Sequence, residues 1–166
     1  MIFQYIPTRQ IIIDGVVLEF LEQRDMVRKK LGVNYREDNQ IIDLGDNASS
    51  ISQRRDIYRN TNNSDNFFFL NYNQNDRLRD IEIHYCDKVK IFDIFFDFEE
   101  NIDSIAAKLM RYSEYNERRE GEYIFNDLKI VIMNKDQMGG EGNSLGYVYC
   151  TSDVTHLSVE SGSWSN

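Results

Sequence analysis

Few residues in this sequence have the types and spacing that catalysis or metal binding requires. The two histidines are His84 and His156, and only His84 has a nearby co-ligand candidate, Cys86. Side chains two residues apart on a strand point the same way, but two ligands are too few for a structural metal site. The sequence lacks a Gly-x-Ser-x-Gly nucleophile motif, and residues 139–142 (GGEG) lack the lysine of a phosphate-binding loop. We therefore expect no bound metal and no cofactor.

The strongest candidate site is a set of carboxylates on two predicted strands. Along residues 89–98, alternation places Asp93 and Asp97 on one side with Phe95 between them. If this strand pairs with the strand over residues 78–86, the polar face of the second strand adds further carboxylates. The resulting candidate partner-binding surface consists of Asp80, Glu82, Ile91, Asp93, Phe95, Asp97 and Glu99. The alternatives are an ordinary solvated sheet face or, if Phe95 lies under a helix, a face buried in the core.

The strands that carry these residues follow one another with short turns. Residues 67–72 are apolar and β-prone, residues 78–86 alternate, and residues 89–98 alternate again. Polar turns at 73–76 and 87–88 separate them. This pattern predicts three strands of an antiparallel meander.

Two helices flank the predicted sheet. Residues 22–31 are charged and helical in composition, and Gly32 follows at a position typical of a helix C-cap. After Asn101, a residue suited to an N-cap, apolar side chains recur with helical spacing at Ile102, Ile105, Ala106 and Leu109. Asp14-Gly15 predicts a hairpin turn. Further strands are expected at 53–60 (an edge strand), 123–133 (interrupted at 126–127), 145–150 and 154–159. We predict one α+β domain over residues 1–160, an antiparallel sheet with one or two helices on one face, followed by a flexible tail at 161–166.

Composition excludes several functional classes. The chain has 166 residues, 41% of them hydrophobic, and a net charge of −9. This charge argues against a nucleic-acid-binding protein, which needs a basic footprint, and against a polybasic membrane anchor. The sequence has no apolar run of transmembrane length and no signal-peptide pattern at its start. Together with only two cysteines, Cys86 and Cys150, this predicts a cytoplasmic protein with free thiols, a single disulfide being the alternative.

The layout of several short patterns resembles a known class of proteins. The patterns are Gly15-x-x-Leu18, Leu31-Gly32, Arg55-Asp56-Ile57-Tyr58, Leu70-Asn71-Tyr72-Asn73 and Leu78-x-x-Ile81-Glu82. Over roughly residues 10–133 this arrangement resembles small bacterial immunity proteins encoded beside polymorphic or contact-dependent toxins. The resemblance implies a single α+β domain, no enzymatic activity and a toxin domain as the partner. Proteins of this kind are often acidic because many of their targets are basic nucleases.

The resemblance implies a mechanism in which the acidic face covers the toxin's active site and pairs with its lysines and arginines. Such pairing speeds association, while Phe95 or a tyrosine supplies an apolar anchor. Two other classes stay open. An enzyme that uses carboxylates on a sheet predicts a concave pocket with perturbed acids. A structural, oligomeric or small-ligand-binding α+β protein predicts a stable homo-oligomer or a co-purifying small molecule.

Overall fold

Two sheets that share one hydrophobic core form the framework of the fold. The computed structural model describes residues 1–32, 34–43, 50–63, 65–115 and 117–152. The elements in this part of the chain are β1 (Ile2–Ile6), β2 (Gln10–Ile13), β3 (Val16–Glu19), α1 (Arg24–Leu31), β4 (Arg36–Ile42), β5 (Ile51–Arg59), β6 (Phe67–Tyr72), β7 (Leu78–Tyr85), β8 (Lys88–Ile91), β9 (Ile94–Phe96), α2 (Ile102–Leu109), β10 (Glu117–Arg119), β11 (Glu122–Phe125), β12 (Ile130–Asn134) and β13 (Leu145–Thr151). The predicted α+β class is confirmed.

The larger sheet is antiparallel and has eight strands in the order β10-β11-β12-β13-β7-β6-β5-β4. The smaller sheet has five strands in the order β3-β2-β1-β8-β9, and it is mixed because β1 and β8 run parallel. The predicted strands at 67–72 and 78–86 are confirmed as β6 and β7, which pair antiparallel. From β4 to β7 the larger sheet is a meander of consecutive strands.

The prediction for the third strand of the meander, residues 89–98, is wrong in two respects. Residues 89–98 do not pair with β7, because β8 enters the smaller sheet, where Val89 lies opposite Phe3 of β1. The run is also broken into β8 and β9 by a turn at Phe92 and Asp93, in which Phe92 has a φ of 55°. A turn of this kind reverses the chain within the run, so alternation across it does not define one face.

The predicted edge strand at 53–60 is an interior strand. It corresponds to β5, which lies between β4 and β6. The edge is formed by β4, whose sequence REDNQII is mostly polar and mostly exposed. Backbone pairing with β5 builds this strand without an apolar face, which explains why its residues gave no strand pattern.

The core lies between the two sheets. Phe3 of β1 meets Phe68 of β6 edge to face, with ring centroids 5.0 Å apart. Both helices lie on this side of the larger sheet: α1 contributes Val27 and α2 contributes its four apolar positions to the same core. Apolar burial therefore joins both sheets and both helices in one unit.

The local signals for helix and hairpin ends are confirmed. The side chain of Asn101 accepts a hydrogen bond from the Asp103 backbone N–H at 2.8 Å, and Gly32 ends α1 with a left-handed φ of 58°. Asp14 and Gly15, both with positive φ, turn β2 into β3. The predicted interruption at 126–127 separates β11 from β12. The predicted strand at 154–159, the domain limit at 160 and the tail at 161–166 lie outside the described residues.

Neither helix of the described part of the chain has the length and apolar character needed to cross a membrane. Cys86 and Cys150 are both buried, and both are free thiols.

Candidate functional site

The face of the eight-stranded sheet that points away from the core, here called the outer face, carries an unusual set of side chains. Antiparallel sheets with one solvated face normally present polar residues there. On this sheet the outward positions of the three central strands β6, β7 and β13 include four aromatic side chains and one imidazole: Phe67, Phe69, His84, Tyr147 and Tyr149. The five-stranded sheet and both helices lie on the other side, so these rings face outward.

In one half of the outer face, arginines of the chain itself cover the aromatic rings. The guanidinium of Arg59 lies 4.3 Å from the ring centroid of Phe67, and that of Arg55 lies 4.6 Å from the ring centroid of Phe69. The imidazole of His84 packs against both rings, with centroids 5.0 and 4.5 Å away. A hollow of about 430 Å³ lies beside this group, between β4, β5 and β6.

The other half of the outer face is a cleft of about 330 Å³. Its apolar lining comes from β11 and β12 through Ile124, Val131 and Met133. Two tyrosines and five charged side chains complete it: Tyr147, Tyr149, Arg79, Asp80, Glu82, Arg119 and Glu122. The register explains the grouping, because Tyr149 lies opposite Glu82 on one side and opposite Val131 on the other. The cleft therefore combines an apolar floor with charges of both signs.

Asp80 and Glu82, two members of the predicted surface, lie in this cleft and share a hydrogen-bond donor. The amide nitrogen of Asn71 donates to Asp80 Oδ1 at 2.5 Å and to Glu82 Oε1 at 2.6 Å. Asp80 is fully buried and also pairs with Arg79. Burial alone would raise the pKa of Glu82, but His84 and Asn71 outweigh it and lower that pKa. Glu82 is therefore held as a carboxylate.

Glu122 is in a different electrostatic situation. Its side chain is 15% exposed, and it forms an ion pair with Arg119, whose Nη1 lies 3.6 Å away. Burial raises the pKa of Glu122, and the Arg119 guanidinium offsets only part of that effect. Arg119 itself donates to Glu117 at 2.6 Å. The negative charge of Glu122 is thus the least compensated of the cleft charges whose pKa shift is resolved.

Ile91 and Phe95 lie on the smaller sheet, and Asp93 lies in the turn between β8 and β9. These three residues therefore do not join Asp80 and Glu82. Ile91 is fully buried in the core, so it is not part of a surface. Asp93 accepts hydrogen bonds from the hydroxyl of Tyr112 and from Arg111. Phe95 is 49% exposed and does not lie under a helix as a core residue would. The predicted single face is therefore two separate surfaces, because β7 and β8 belong to different sheets.

Asp97 and Glu99 lie on a pair of neighbouring stretches, here called the acidic loop pair: residues 97–103, a loop that continues into the first turn of α2, and residues 134–143, a loop that begins at the last residue of β12. Backbone hydrogen bonds join the two stretches: the Ile102 N–H donates to the Asn143 carbonyl at 2.9 Å. The two loops contain six carboxylates and a single lysine, Lys135, which lies 3.4 Å from Glu99. Much of the chain's excess negative charge is therefore concentrated here.

Sequence reasoning missed the part of the cleft contributed by β11 to β13. Glu122 and Tyr147 are distant from Glu82 in sequence, and only the strand order brings them together. One signal was available: in residues 145–151 the apolar Val148 and Cys150 alternate with Tyr147 and Tyr149. That alternation predicts outward-facing tyrosines, but not their neighbours.

Within the ranges that the structure describes, His, Cys, Asp and Glu side chains form no group of three or more that could hold a metal ion. Comparisons with protein families, with characterised proteins and with solved structures found no match to this chain.

Proposed function

We propose that this protein is an immunity protein, a non-catalytic inhibitor that binds and neutralises a cognate toxin domain of basic charge. The observation that carries the proposal is the outer face of the eight-stranded sheet. Tyr, Phe and Arg side chains, the types enriched at the centres of protein interfaces, lie there on β13, β6 and β5, with β7 between β13 and β6. A face of this composition is suited to a protein partner.

The charge distribution supports a basic partner. The net charge is −9, and the acidic loop pair brings six carboxylates into two neighbouring stretches of the chain. Opposite charge on a partner accelerates encounter by electrostatic steering, an effect that weakens as salt rises. In this proposal the acidic loop pair sets the association rate, and the aromatic outer face supplies the contacts that hold the complex.

The alternative interpretation, an enzyme, predicts a concave pocket that contains carboxyl groups of shifted pKa. The cleft has this shape and contains such groups. Its chemistry favours binding over acid–base catalysis. Glu82 has a lowered pKa, whereas the acid of a catalytic carboxylate pair needs a raised one. Glu122, whose pKa is raised, lies three strands away from Glu82, about 14 Å at the usual strand spacing. This distance is between strand backbones, and it means that the two carboxylates are not opposed neighbours on adjacent strands.

The experiment that tests the proposal is a binding measurement with the protein encoded by the neighbouring gene. We expect a salt-sensitive 1:1 complex and restored growth of cells that express the toxin domain. Absence of binding to that protein, together with a stable homo-oligomer of this chain, would overturn the proposal in favour of a structural role.

A charge-reversal pair locates the steering surface. Glu99→Lys with Glu141→Lys changes two exposed carboxylates of the acidic loop pair. Glu19→Lys with Asp25→Lys is the matched control, because it changes the net charge equally at exposed positions on β3 and α1. We expect the first double variant to slow association about tenfold or more at low salt and the control to slow it much less. Equal slowing would mean that net charge alone steers the partner.

A further inference from the structure

One charged group of the cleft, the Glu122 carboxylate, is paired less closely than the others. Arg79 pairs with Asp80, and Arg119 donates to Glu117. Both cleft arginines therefore already have carboxylate partners within the chain. Among the described residues no hydrogen bond to the Glu122 carboxylate is found, and its ion pair with Arg119 is long at 3.6 Å. The cleft group that is left without a close partner is thus the Glu122 carboxylate, which is an anion. A ligand that pairs with it must carry a positive charge.

The aromatic side chains of the outer face point to the same chemistry. On β6 the rings of Phe67 and Phe69 are each covered by an arginine of the chain. Tyr147 on β13 contacts His84 and a second tyrosine through its ring, but no guanidinium or ammonium of the described residues lies over it. Tyr147 is thus a half-buried ring with no cation over it among the described residues, on a face whose other half is built from cation–π contacts.

The dimensions fit one long basic side chain. Met133 lies opposite Glu122 on β11 and opposite Tyr147 on β13. Glu122 and Tyr147 are therefore separated by two strand spacings, about 10 Å between backbones, with the methionine between them. The aliphatic stem of an arginine or lysine covers such an apolar surface while its charged head remains beside a carboxylate.

We propose that the cleft seats an arginine or lysine side chain of the partner protein, with the charged head at Glu122 and the stem on Met133 against Tyr147. This inference rests on the proposed function, because it assigns the cleft as the place where the basic partner is anchored. Because the proposed partner is basic, the occupant is one of its cationic side chains. The dimensions of the cleft then select the length and shape of that side chain.

The test is a titration of the full chain, followed by ¹H–¹⁵N NMR, with N-acetyl-arginine amide as the probe. N-acetyl-citrulline amide, which has nearly the same shape without the charge, is the matched control ligand. We expect the arginine probe to shift the resonances of Glu122, Met133 and Tyr147 and to bind at least fivefold more tightly than the citrulline probe. Equal binding of the two probes, or shifts confined to other parts of the chain, overturns the inference without requiring any variant.

Glu122→Gln removes the charge at nearly constant volume, and Glu19→Gln is the control at an exposed position of the smaller sheet. We expect at least a fivefold loss of probe affinity in the first variant and less than a twofold change in the second. A small amine that co-purifies with the chain in native mass spectrometry, and that the arginine probe displaces, overturns the assignment of a partner side chain. A toxin complex of unchanged affinity in Glu122→Gln overturns the cleft inference alone, whereas probe binding without any toxin complex overturns the proposed function.

Discussion

Arg24 and Asp56 form a buried ion pair that ties α1 to the eight-stranded sheet. The Arg24 Nη2 atom lies 2.6 Å from Asp56 Oδ1, and the two residues are 4% and 0% exposed. Arg28, one turn further along α1, donates to both oxygens of the same carboxylate at 2.8 and 2.7 Å. One carboxylate on β5 therefore compensates two guanidiniums of the helix.

Removing that carboxylate should be strongly destabilising. We expect Asp56→Asn to lower the free energy of unfolding by about 3–5 kcal/mol, because the buried Arg24 then loses its closest counter-charge. Among the described residues Arg24 retains only the longer ion pairs with Asp76 and Glu37, at 3.5 and 3.9 Å. Asp93→Asn is the control: its 3.2 Å pair with Arg111 is 59% and 60% exposed, and such exposed pairs contribute little to stability. Urea denaturation of the three proteins measures both changes. Similar losses in the two variants would contradict the assigned role of Asp56.

The same pair predicts a dependence of stability on pH. Burial alone would raise the pKa of Asp56, but the hydrogen bonds from Arg28 and Arg24 outweigh it and lower that pKa. A carboxyl group with a lowered folded-state pKa stabilises the fold fully above its unfolded value, about 3.9, and loses that contribution as pH falls below it. We expect the free energy of unfolding to fall steeply below about pH 4, and less steeply in Asp56→Asn. Parallel pH profiles of the two proteins would exclude Asp56 as the source.

Elements with local signals could be predicted from the sequence. The positions of α2, its Asn101 cap and the Asp14-Gly15 turn follow from residues within a few positions of each other. Helix periodicity and turn chemistry depend on near neighbours, so they can be interpreted without knowledge of the fold. The pairing of Asp80 with Glu82 on one face of β7 was predictable for the same reason.

Sheet membership could not be predicted in this way. Besides β6, β7 pairs with β13, where Ile81 lies opposite Cys150, and no pattern within β7 or β13 specifies the other strand. The turn at Phe92 was also hidden, because the left-handed φ of 55° is usually adopted by Gly, Asn or Asp. A phenylalanine there continues the aromatic run of residues 89–98. The candidate cleft therefore required the strand order, which only the structure supplies.

At Gly146 the backbone of β13 lies very close to the backbone of Asn134, where the second stretch of the acidic loop pair begins. This glycine lies at the register shift between β12 and β13, where Met133 is opposite Tyr147 and Asn134 is opposite Leu145. A Cβ atom at this position would lie 2.8 Å from the Asn134 carbonyl oxygen and 2.9 Å from its carbonyl carbon. Only a residue without a side chain fits there without a shift of the backbone.

We therefore expect Gly146→Ala to lower the free energy of unfolding by about 1–3 kcal/mol, the usual cost of overpacking. Gly140→Ala is the control, since its nearest contact would be 3.3 Å, and we expect a clearly smaller change. Thermal unfolding of both variants measures the difference. An unchanged thermal unfolding of Gly146→Ala would mean that the backbone at the β12–β13 bulge shifts to accommodate the methyl group at no cost in stability.

A substitution at Phe95 can distinguish a role of this exposed aromatic residue in partner binding from a role in the stability of the fold. Phe95 is 49% exposed on the edge strand β9, with the ammonium of Lys90 5.3 Å from its ring centroid. Since its side chain is largely outside the core, we expect Phe95→Ala to change the free energy of unfolding by only about 0.5–1 kcal/mol. If it anchors the toxin partner, its loss costs about 2 kcal/mol or more of binding, roughly a thirtyfold faster dissociation. Val17→Ala, at a 39% exposed position of the opposite edge strand of the same sheet, is the control. Dissociation rates that match between the two variants would place the binding energy on the outer face of the eight-stranded sheet alone.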